Sequence, residues 1–260
     1  MGSRLGEAAL QQHQHRNLLG LQAAQLLAEF LLDLLLEARH QGAVEIGPDD
    51  LRVNVALAAD GRRVAEAARD PLYPAEVGVL ICNVAGAPAI ARAEAAGIPA
   101  LTIRHKDFGD RPAFDAAVDR ALTDAGVGLV CLAGFMRLLT PGFVARWRDR
   151  MINIHPSLLP AFKGLNPQAQ ALDAGVRIAG CTVHFVREGT DEGPIIAQAA
   201  VPVMAGETPE TLAARILVEE HHLYPLAVRL IADDRIRIVD ERVLIESARP
   251  DGAHLRNPAG

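Results

Sequence analysis

The stretch MINIHPSLLP at residues 151–160 decides the fold, because a short apolar strand ends there at a proline. Residues 151–154 predict a buried strand, and Pro156 cannot continue its ladder since proline has no N–H to donate. Asn153 and His155 lie two residues apart, so their side chains point to the same side of the strand. Both therefore stand at the carboxyl end of a strand, where open α/β sheets bind their ligands.

Upstream of this strand, short apolar runs alternate with helical stretches. Continuous runs of Val, Leu and Ile are typical of strands that are covered on both faces. The alternation predicts βαβ units and a mostly parallel, doubly wound (Rossmann-like) α/β sheet. The predicted strands are residues 53–58, 77–82, 100–103 and 128–132, and the predicted helices are residues 62–69, 88–96, 112–125 and 141–146.

Downstream of the strand the pattern changes. Two longer apolar runs, joined by the polar loop 187–194, predict an antiparallel pair on the sheet edge. A long helix follows, with Thr208 as its N-cap and Pro209 at its first position, and a short hairpin closes the domain. The two runs are residues 178–186 and 195–203, the helix is residues 208–233, and the hairpin strands are residues 236–238 and 243–245.

The N-terminal part predicts a helical extension ahead of the α/β domain. Its apolar stretch 18–36 carries one polar stripe, and two acids near the middle argue against a membrane span. The helix must bury its apolar surface against the domain or a second subunit, so a homodimer through this segment stays open. The predicted limits are 1–50 for the extension, 51–247 for the α/β domain and 248–260 for a disordered polar tail.

Composition narrows the classes of function. A chain of 260 residues, half of them hydrophobic and only 4% aromatic, can bury a large aliphatic core. The net charge of −6 gives no reason to expect a nucleic-acid partner. The three cysteines lie within apolar runs and lack the paired spacing of a zinc site, which predicts buried reduced thiols, no metal and a cytoplasmic location.

Asn153 and His155 suit acyl chemistry. An amide N–H can stabilise an oxyanion, and an imidazole can move a proton between an amine and a leaving group. The alternative is a polar strand end that caps its own loop. Asp191 in the loop 187–194 would favour the protonated imidazole if the loop folds back onto His155, and is otherwise an ordinary acidic hairpin tip. His184 is interpreted as a residue that supports the site.

Several segments together resemble the phosphoribosylglycinamide formyltransferase family of folate-dependent enzymes, in order and in spacing, over roughly residues 53–238. The resemblance implies transfer of a formyl group from 10-formyltetrahydrofolate to the amino group of glycinamide ribonucleotide in de novo purine synthesis. It implies small-molecule substrates, and no nucleic acid, membrane or metal. The segments are GFMR at 134–137, NIHPSLLP at 153–160, GCTVHFV at 180–186, DEGPII at 191–196 and EH at 220–221.

The resemblance also implies roles for individual residues. The family's catalytic residues fall on Asn153, His155 and Asp191. Its folate-binding positions fall on Arg111, Met136, Arg137, Leu138, Leu139, Asn153, Arg187, Glu188, Gly189, Thr190 and Asp191. Its nucleotide-contacting helix falls on Leu217, Val218, Glu219 and Glu220.

Three features depart from the family pattern, and one of them is the extension 1–50, which the core family lacks. The phosphate loop with its Ser and Asn donors is replaced by Asp60-Gly61-Arg62-Arg63. Gly61 permits close backbone approach at a helix N-terminus, and the two arginines can bond a phosphate, whereas Asp60 repels one. Either the substituted loop binds the substrate phosphate or the chain uses another amine. Gln168 stands where the family commonly has His, and it cannot titrate.

Three other functions compete with the transferase. Formyltetrahydrofolate deformylase passes the formyl group to water and carries a βαβ regulatory domain, whereas a helical extension and Pro-Ser-Leu-Leu-Pro after His155 favour a transferase. A non-catalytic binding protein would not need all three catalytic side chains. Transfer to another small amine, such as an amino sugar nucleotide, is typical of enzymes with an additional C-terminal domain.

Overall fold

The computed structural model of the protein describes residues 53–59, 62–70, 72–135 and 137–246, and at residues 53–59, 62 and 63 the backbone alone. The predicted extension 1–50 and tail 248–260 lie outside these residues. The same holds for the homodimer that the extension leaves open.

A seven-stranded sheet forms the centre of the domain, with the strand order β3-β2-β1-β4-β5-β6-β7. The first five strands of the chain run parallel, β6 runs antiparallel to β5, and β7 runs antiparallel to β6. The predicted parallel sheet with an antiparallel edge is therefore confirmed. The strands are β1 (Val53–Ala59), β2 (Ala75–Cys82), β3 (Ala100–Thr102), β4 (Leu129–Ala133), β5 (Met151–His155), β6 (Ile178–Phe185) and β7 (Ile195–Pro202).

Burial explains why these runs became strands. Every residue of β4 is buried, as its continuous apolar sequence predicts for a strand covered on both faces. In β7, at the edge of the sheet, less exposed and more exposed residues alternate from Ala197 to Val201 in the period of two that a one-sided strand requires.

Proline marks the start of most helices, because the first turn of a helix needs no N–H donor. Side chains complete three of these starts: Asp110 accepts from the N–H of Ala113 at 2.8 Å, and Thr140 and Thr208 accept from those of Phe143 and Thr211 at 3.3 Å each. The helices are α1 (Arg62–Ala67), α2 (Pro88–Ala95), α3 (Arg111–Asp124), α4 (Pro141–Arg146), α5 (Pro167–Asp173) and α6 (Pro209–Ala232), with a 3₁₀ turn at His105–Asp107.

Helices cover both faces of the sheet. On one face α6 buries Leu212, Ile216 and Val228, and the hydroxyl of Tyr224 donates to the carbonyl oxygen of Leu132 on β4 at 2.7 Å. The opposite face is covered by α3 and α4, whose buried aromatic and aliphatic side chains pack on β2, β4 and β5. The short hairpin of β8 (Ile236–Val239) and β9 (Arg242–Ile245) forms a separate sheet after α6.

The three cysteines are buried free thiols on β2, β4 and β6, as their apolar surroundings predict. None of the described helices combines the length and the hydropathy that a membrane crossing requires.

Glu220 on α6 introduces a pH dependence into the stability of the fold. Loss of hydration raises the pKa of this partly buried carboxyl group to about 7. A group whose pKa is higher in the folded chain than in the unfolded chain stabilises the fold at low pH. That contribution is lost as the pH rises through the folded pKa, here about 7.

We therefore expect Glu220→Gln to raise the melting temperature at pH 8.5 by about a few degrees and to change it little at pH 5. At pH 5 the native carboxyl group is protonated and resembles the amide, whereas at pH 8.5 the amide replaces a poorly hydrated charge. Thermal unfolding at both pH values measures the difference. An equal change at the two pH values would contradict a raised pKa at this residue.

Candidate active site

The site forms where the parallel part of the sheet meets its antiparallel edge. β5 ends at His155, and β6 returns beside it so that Asn153 faces His184 and His155 faces Thr182. Residues that face each other in an antiparallel pair point to the same side of the sheet. Four polar side chains are thereby collected at the carboxyl end of β5, as the sequence predicts for Asn153 and His155.

Asp191 lies beside His155, with 3.3 Å between its Oδ2 and the Nδ1 of the imidazole. The second ring nitrogen, Nε2, donates to the carbonyl oxygen of Phe162 at 2.9 Å. Both nitrogens thus face oxygen acceptors, and only a ring that carries both protons can donate to both. His155 is 6% exposed, so both contacts lie away from bulk water and hold the ring in one orientation.

Asp191 is itself held by the loop that follows β5. Its Oδ2 accepts from the backbone N–H of Gly164 at 2.7 Å. One carboxylate oxygen therefore connects the two loops that enclose the imidazole. The expectation that the loop 187–194 folds back onto His155 is met, and the alternative of a free acidic tip does not describe this residue.

A buried hydrogen-bond network fixes the segment after Pro156. Thr182 donates to the carbonyl oxygen of Ser157 at 2.7 Å and accepts from the N–H of Leu159 at 3.0 Å. The amide of Gln198 on β7 donates to the carbonyl oxygen of Leu159 at 2.9 Å. Two strands, β6 and β7, thus hold the segment that leads to Phe162, whose carbonyl faces the imidazole.

Asn153 is oriented by His184. The Nδ1 of His184 lies 2.9 Å from the carbonyl oxygen of Phe185 and must carry the proton, which leaves Nε2 as an acceptor. The amide nitrogen of Asn153 donates to this Nε2 at 3.4 Å. Burial lowers the pKa of His184 and keeps the ring neutral. The NH₂ group of Asn153 is therefore held toward His184, and its second N–H remains available to a ligand.

The backbone of the loop 187–194 is specialised. Asp191 adopts a left-handed conformation with φ of 50°, and Gly193 has φ of 123°. A Cβ on Gly193 would approach the carbonyl oxygen of Phe185 to 2.1 Å, so a side chain there would displace the loop. The glycine allows the chain to turn back tightly two residues after Asp191.

The expected folate-binding residues divide into two groups. Leu139 lines an apolar recess that ends beneath α3 and α4, and the guanidinium of Arg137 lies 5.5 Å above the ring of Phe114. The buried Nε of Arg137 has no hydrogen-bond partner among the described residues, and Leu138 is exposed at the surface. Of these expected residues, Leu139 alone lines the recess, together with Phe135 and Phe143. Met136 lies outside the described residues.

The second group of expected folate-binding residues comprises Arg111 and the loop residues 187–190. Arg111 is exposed at the start of α3, and Glu188 and Thr190 are exposed in the loop, while Gly189 is partly buried. Arg187 is 11% exposed and its guanidinium is paired with Asp149 and Glu241. Its charged group is therefore already engaged by protein carboxylates.

The expected substrate-binding residues lie on two elements. On α6, Val218 is exposed, and Leu217, Glu219 and Glu220 are partly buried. Arg62 and Arg63 begin α1 after β1, but their side chains and Gly61 fall outside the description.

Three participating groups were missed by sequence reasoning. The carbonyl of Phe162 and the N–H of Gly164 are backbone groups, which leave no signal in residue type. Asp115 on α3 is buried and accepts from the N–H of Thr140 at 2.7 Å, which holds the segment after Arg137. An acid on the buried face of a predicted helix is the signal that could have identified it.

The chain is similar to proteins of a known family over most of its length. The formyl transferase family profile matches residues 54–228. The phosphoribosylglycinamide formyltransferase of Escherichia coli strain K12 is 39% identical over 173 residues, covering 66% of this chain and 82% of that protein. The trifunctional purine biosynthetic protein adenosine-3 of Bos taurus is 45% identical over 196 residues, 74% of this chain. This chain spans about a fifth of that relative, 19% of its length.

Solved structures agree with the sequence comparison. Glycinamide ribonucleotide transformylase 1 from Symbiobacterium toebii superposes with a TM-score of 0.72 at 45% identity, covering 79% of this chain and 99% of that one. A formyltetrahydrofolate deformylase from Pseudomonas syringae pv. tomato gives a TM-score of 0.67 at 26% identity, covering 75% of this chain and 66% of that one. By sequence and by fold, this chain belongs to the formyl transferase family.

Proposed function

We propose that the protein transfers the formyl group of 10-formyltetrahydrofolate to the amino group of glycinamide ribonucleotide, a step of purine biosynthesis. The observation that carries the proposal is the convergence of an oriented amide, a buried imidazole and a carboxylate at the carboxyl end of β5. Relatives that carry the transferase name support the choice of substrates.

In the proposed mechanism the substrate amine attacks the formyl carbon and gives a tetrahedral intermediate with a negatively charged oxygen. The free N–H of Asn153 and the protonated ring of His155 stabilise that oxygen, because both are donors in a site with little water. His155 then gives a proton to the folate nitrogen as it leaves, and the neutral ring takes up the proton that the amine loses, which restores the protonated ring. Asp191 holds the imidazole in the orientation that this transfer needs.

The bond between His155 and Phe162 defines what must change when substrates bind. In the free protein the Nε2–H of His155 is directed to the Phe162 carbonyl oxygen. For His155 to donate to the formyl oxygen, this N–H must either bond both oxygens or leave the Phe162 carbonyl oxygen for the formyl oxygen. The carbonyl of Phe162 therefore serves as a temporary acceptor that keeps the ring oriented until the substrate arrives.

The residues that contact the folate and the phosphorylated amine are also proposed. The exposed side chain of Leu138 and the apolar recess at Leu139 offer apolar surface to a flat heteroaromatic ring, and the Nε of Arg137, which has no partner among the described residues, offers it a donor. Arg187 contributes through its backbone, since its guanidinium is engaged elsewhere. For the phosphorylated amine we propose Gly61, Arg62 and Arg63 together with the exposed side of α6.

The cellular location and the oligomeric state of the protein are also proposals. A cytoplasmic location is supported by the buried free thiols, which are typical of a reducing compartment. A homodimer through the N-terminal segment rests on the Leu-rich sequence of that segment alone.

The decisive experiment is an assay with 10-formyltetrahydrofolate in which glycinamide ribonucleotide is present or replaced by buffer. We expect formylated product and folate discharge only with the amine. Discharge at the same rate in buffer alone would instead assign the hydrolytic chemistry of the similar deformylase. Discharge supported only by a different amine would overturn the choice of acceptor and leave the formyl transfer intact.

We expect His155→Ala to lower kcat by about 10²–10⁴-fold, because it removes the proton donor, and to leave folate affinity nearly unchanged. Asp191→Asn keeps the shape of the loop but loses the charge beside the ring, so kcat should fall by about 10²-fold. Steady-state kinetics measure the change in kcat, and equilibrium binding measures the change in folate affinity. An equally large loss of folate affinity in His155→Ala would make His155 a binding residue.

His184 should act through Asn153. His184→Ala removes the acceptor that orients the amide and should lower kcat by about 10- to 100-fold. His184→Gln can place a carbonyl oxygen near the former Nε2 and should retain most of the activity.

The test for this coupling is a double-mutant cycle. In an Asn153→Ala background, His184→Ala should lower kcat little further, because the amide that it orients is already absent. If the double variant loses kcat by the full product of the two single losses, His184 does not act through the amide.

A further inference from the structure

Arg187 opens the loop that carries Asp191, and all of its side-chain nitrogens are engaged. Nε donates to Oε2 of Glu241 at 2.6 Å, Nη2 donates to Oδ1 of Asp149 at 2.7 Å, and Nη1 donates to the carbonyl oxygen of Val186 at 3.1 Å. A planar guanidinium that bonds two carboxylates at once has a single orientation. We name Arg187, Asp149 and Glu241 the loop clamp.

The two carboxylates come from separate parts of the fold. Asp149 lies between α4 and β5, and Glu241 lies in the turn between β8 and β9. Both residues adopt left-handed backbone conformations, with φ of 59° and 55°. Such conformations are uncommon for residues other than glycine, so the surrounding chain must hold them. Two rigid turns thus converge on one side chain of the loop.

Burial makes these contacts stronger than those of an ordinary surface pair. The side chain of Arg187 is 11% exposed, whereas Asp149 and Glu241 are about half exposed. Removing a partner from a charge that is mostly shielded from water leaves that charge poorly compensated. The Arg187 guanidinium also lowers the pKa of the Glu241 carboxyl group, which keeps it charged in mildly acidic solution. The clamp therefore stays closed across the neutral range.

The clamp is mechanically connected to Asp191. On one side, Val186 is fixed because its N–H donates to the carbonyl oxygen of Met151 at 2.9 Å. On the other side, the aliphatic part of Arg187 lies against Gly193, where an added Cβ would come within 2.9 Å of its Cγ. The turn that holds Asp191 is thus fixed at one end through Val186 and lies against the Arg187 side chain at the other.

We infer that Arg187, fixed by Asp149 and Glu241, is a positioning residue for catalysis and sets the distance between Asp191 and His155. The hairpin of β8 and β9 thereby becomes part of the catalytic machinery. That hairpin follows residue 228, where the match to the family profile ends. The inference rests on the proposed function, because the clamp acts by holding the carboxylate of Asp191.

The chain offers a matched control. Arg148 pairs with the other oxygen of Glu241, Oε1, at 2.5 Å, and both partners of that pair are about half exposed. Arg148→Gln removes one positive charge from the same turn and leaves both carboxylate contacts of Arg187 in place. Exposed pairs of this kind contribute little to stability.

The experiment measures kcat for formyl transfer in Arg187→Gln, Glu241→Gln and Arg148→Gln, each with native Asp191 and with Asp191→Asn. We expect the first two to lower kcat by about 2- to 30-fold with native Asp191. With Asp191→Asn they should have no further effect, because the positioned charge is gone. Arg148→Gln should leave kcat unchanged both with native Asp191 and with Asp191→Asn.

Melting temperatures of all variants separate positioning from loss of fold. Glu241→Gln changes an exposed residue, so its kcat tests the inference even if Arg187→Gln fails to fold. Unchanged kcat in Glu241→Gln overturns the inference, as does an equal loss of kcat with Asp191→Asn. An unmodified chain that transfers no formyl group contradicts the proposed function instead of the clamp.

Discussion

A buried imidazole with an oxygen acceptor at each nitrogen is the constraint on which the rest of this site depends. His155 is 6% exposed, and its acceptors come from two different loops, at Phe162 and at Asp191. Neither loop has regular structure to fix it, so each is held by contacts of its own. Gly164 joins them by donating to the same carboxylate that faces the ring. A shift of either loop would leave a polar atom without its partner, at a cost of about 1–3 kcal/mol.

The change of strand direction between β5 and β6 makes this arrangement possible. A parallel neighbour would approach the site from a crossover helix, whereas β6 returns directly and carries Thr182 and His184 alongside β5. Thr182 supports the loop after Pro156, and His184 orients the amide of Asn153. One strand thus supports both the amide of Asn153 and the loop that faces the imidazole, and both supporting side chains are buried.

The sequence predicts most of the fold because burial on both faces requires continuous apolar runs, and each such run became a strand. It does not predict α5, a short helix that follows the left-handed residue Asn166 and has little apolar periodicity. Asn153 and His155 could be found from their position at the end of a strand. Arg187 was expected to contact folate, and nothing nearby in sequence indicates that Asp149 and Glu241 hold its guanidinium.

The pairing of Asn153 with His184 also limits how the chain can vary in length. Side chains alternate between the two faces of a strand, so inserting or deleting one residue between Ile178 and His184 would turn the imidazole to the opposite face. A change of two residues would restore the face but move the ring about 7 Å along the strand, out of reach of the amide. Insertions in this protein are therefore confined to its loops, and a β6 strand grafted from a relative must keep the same residue count.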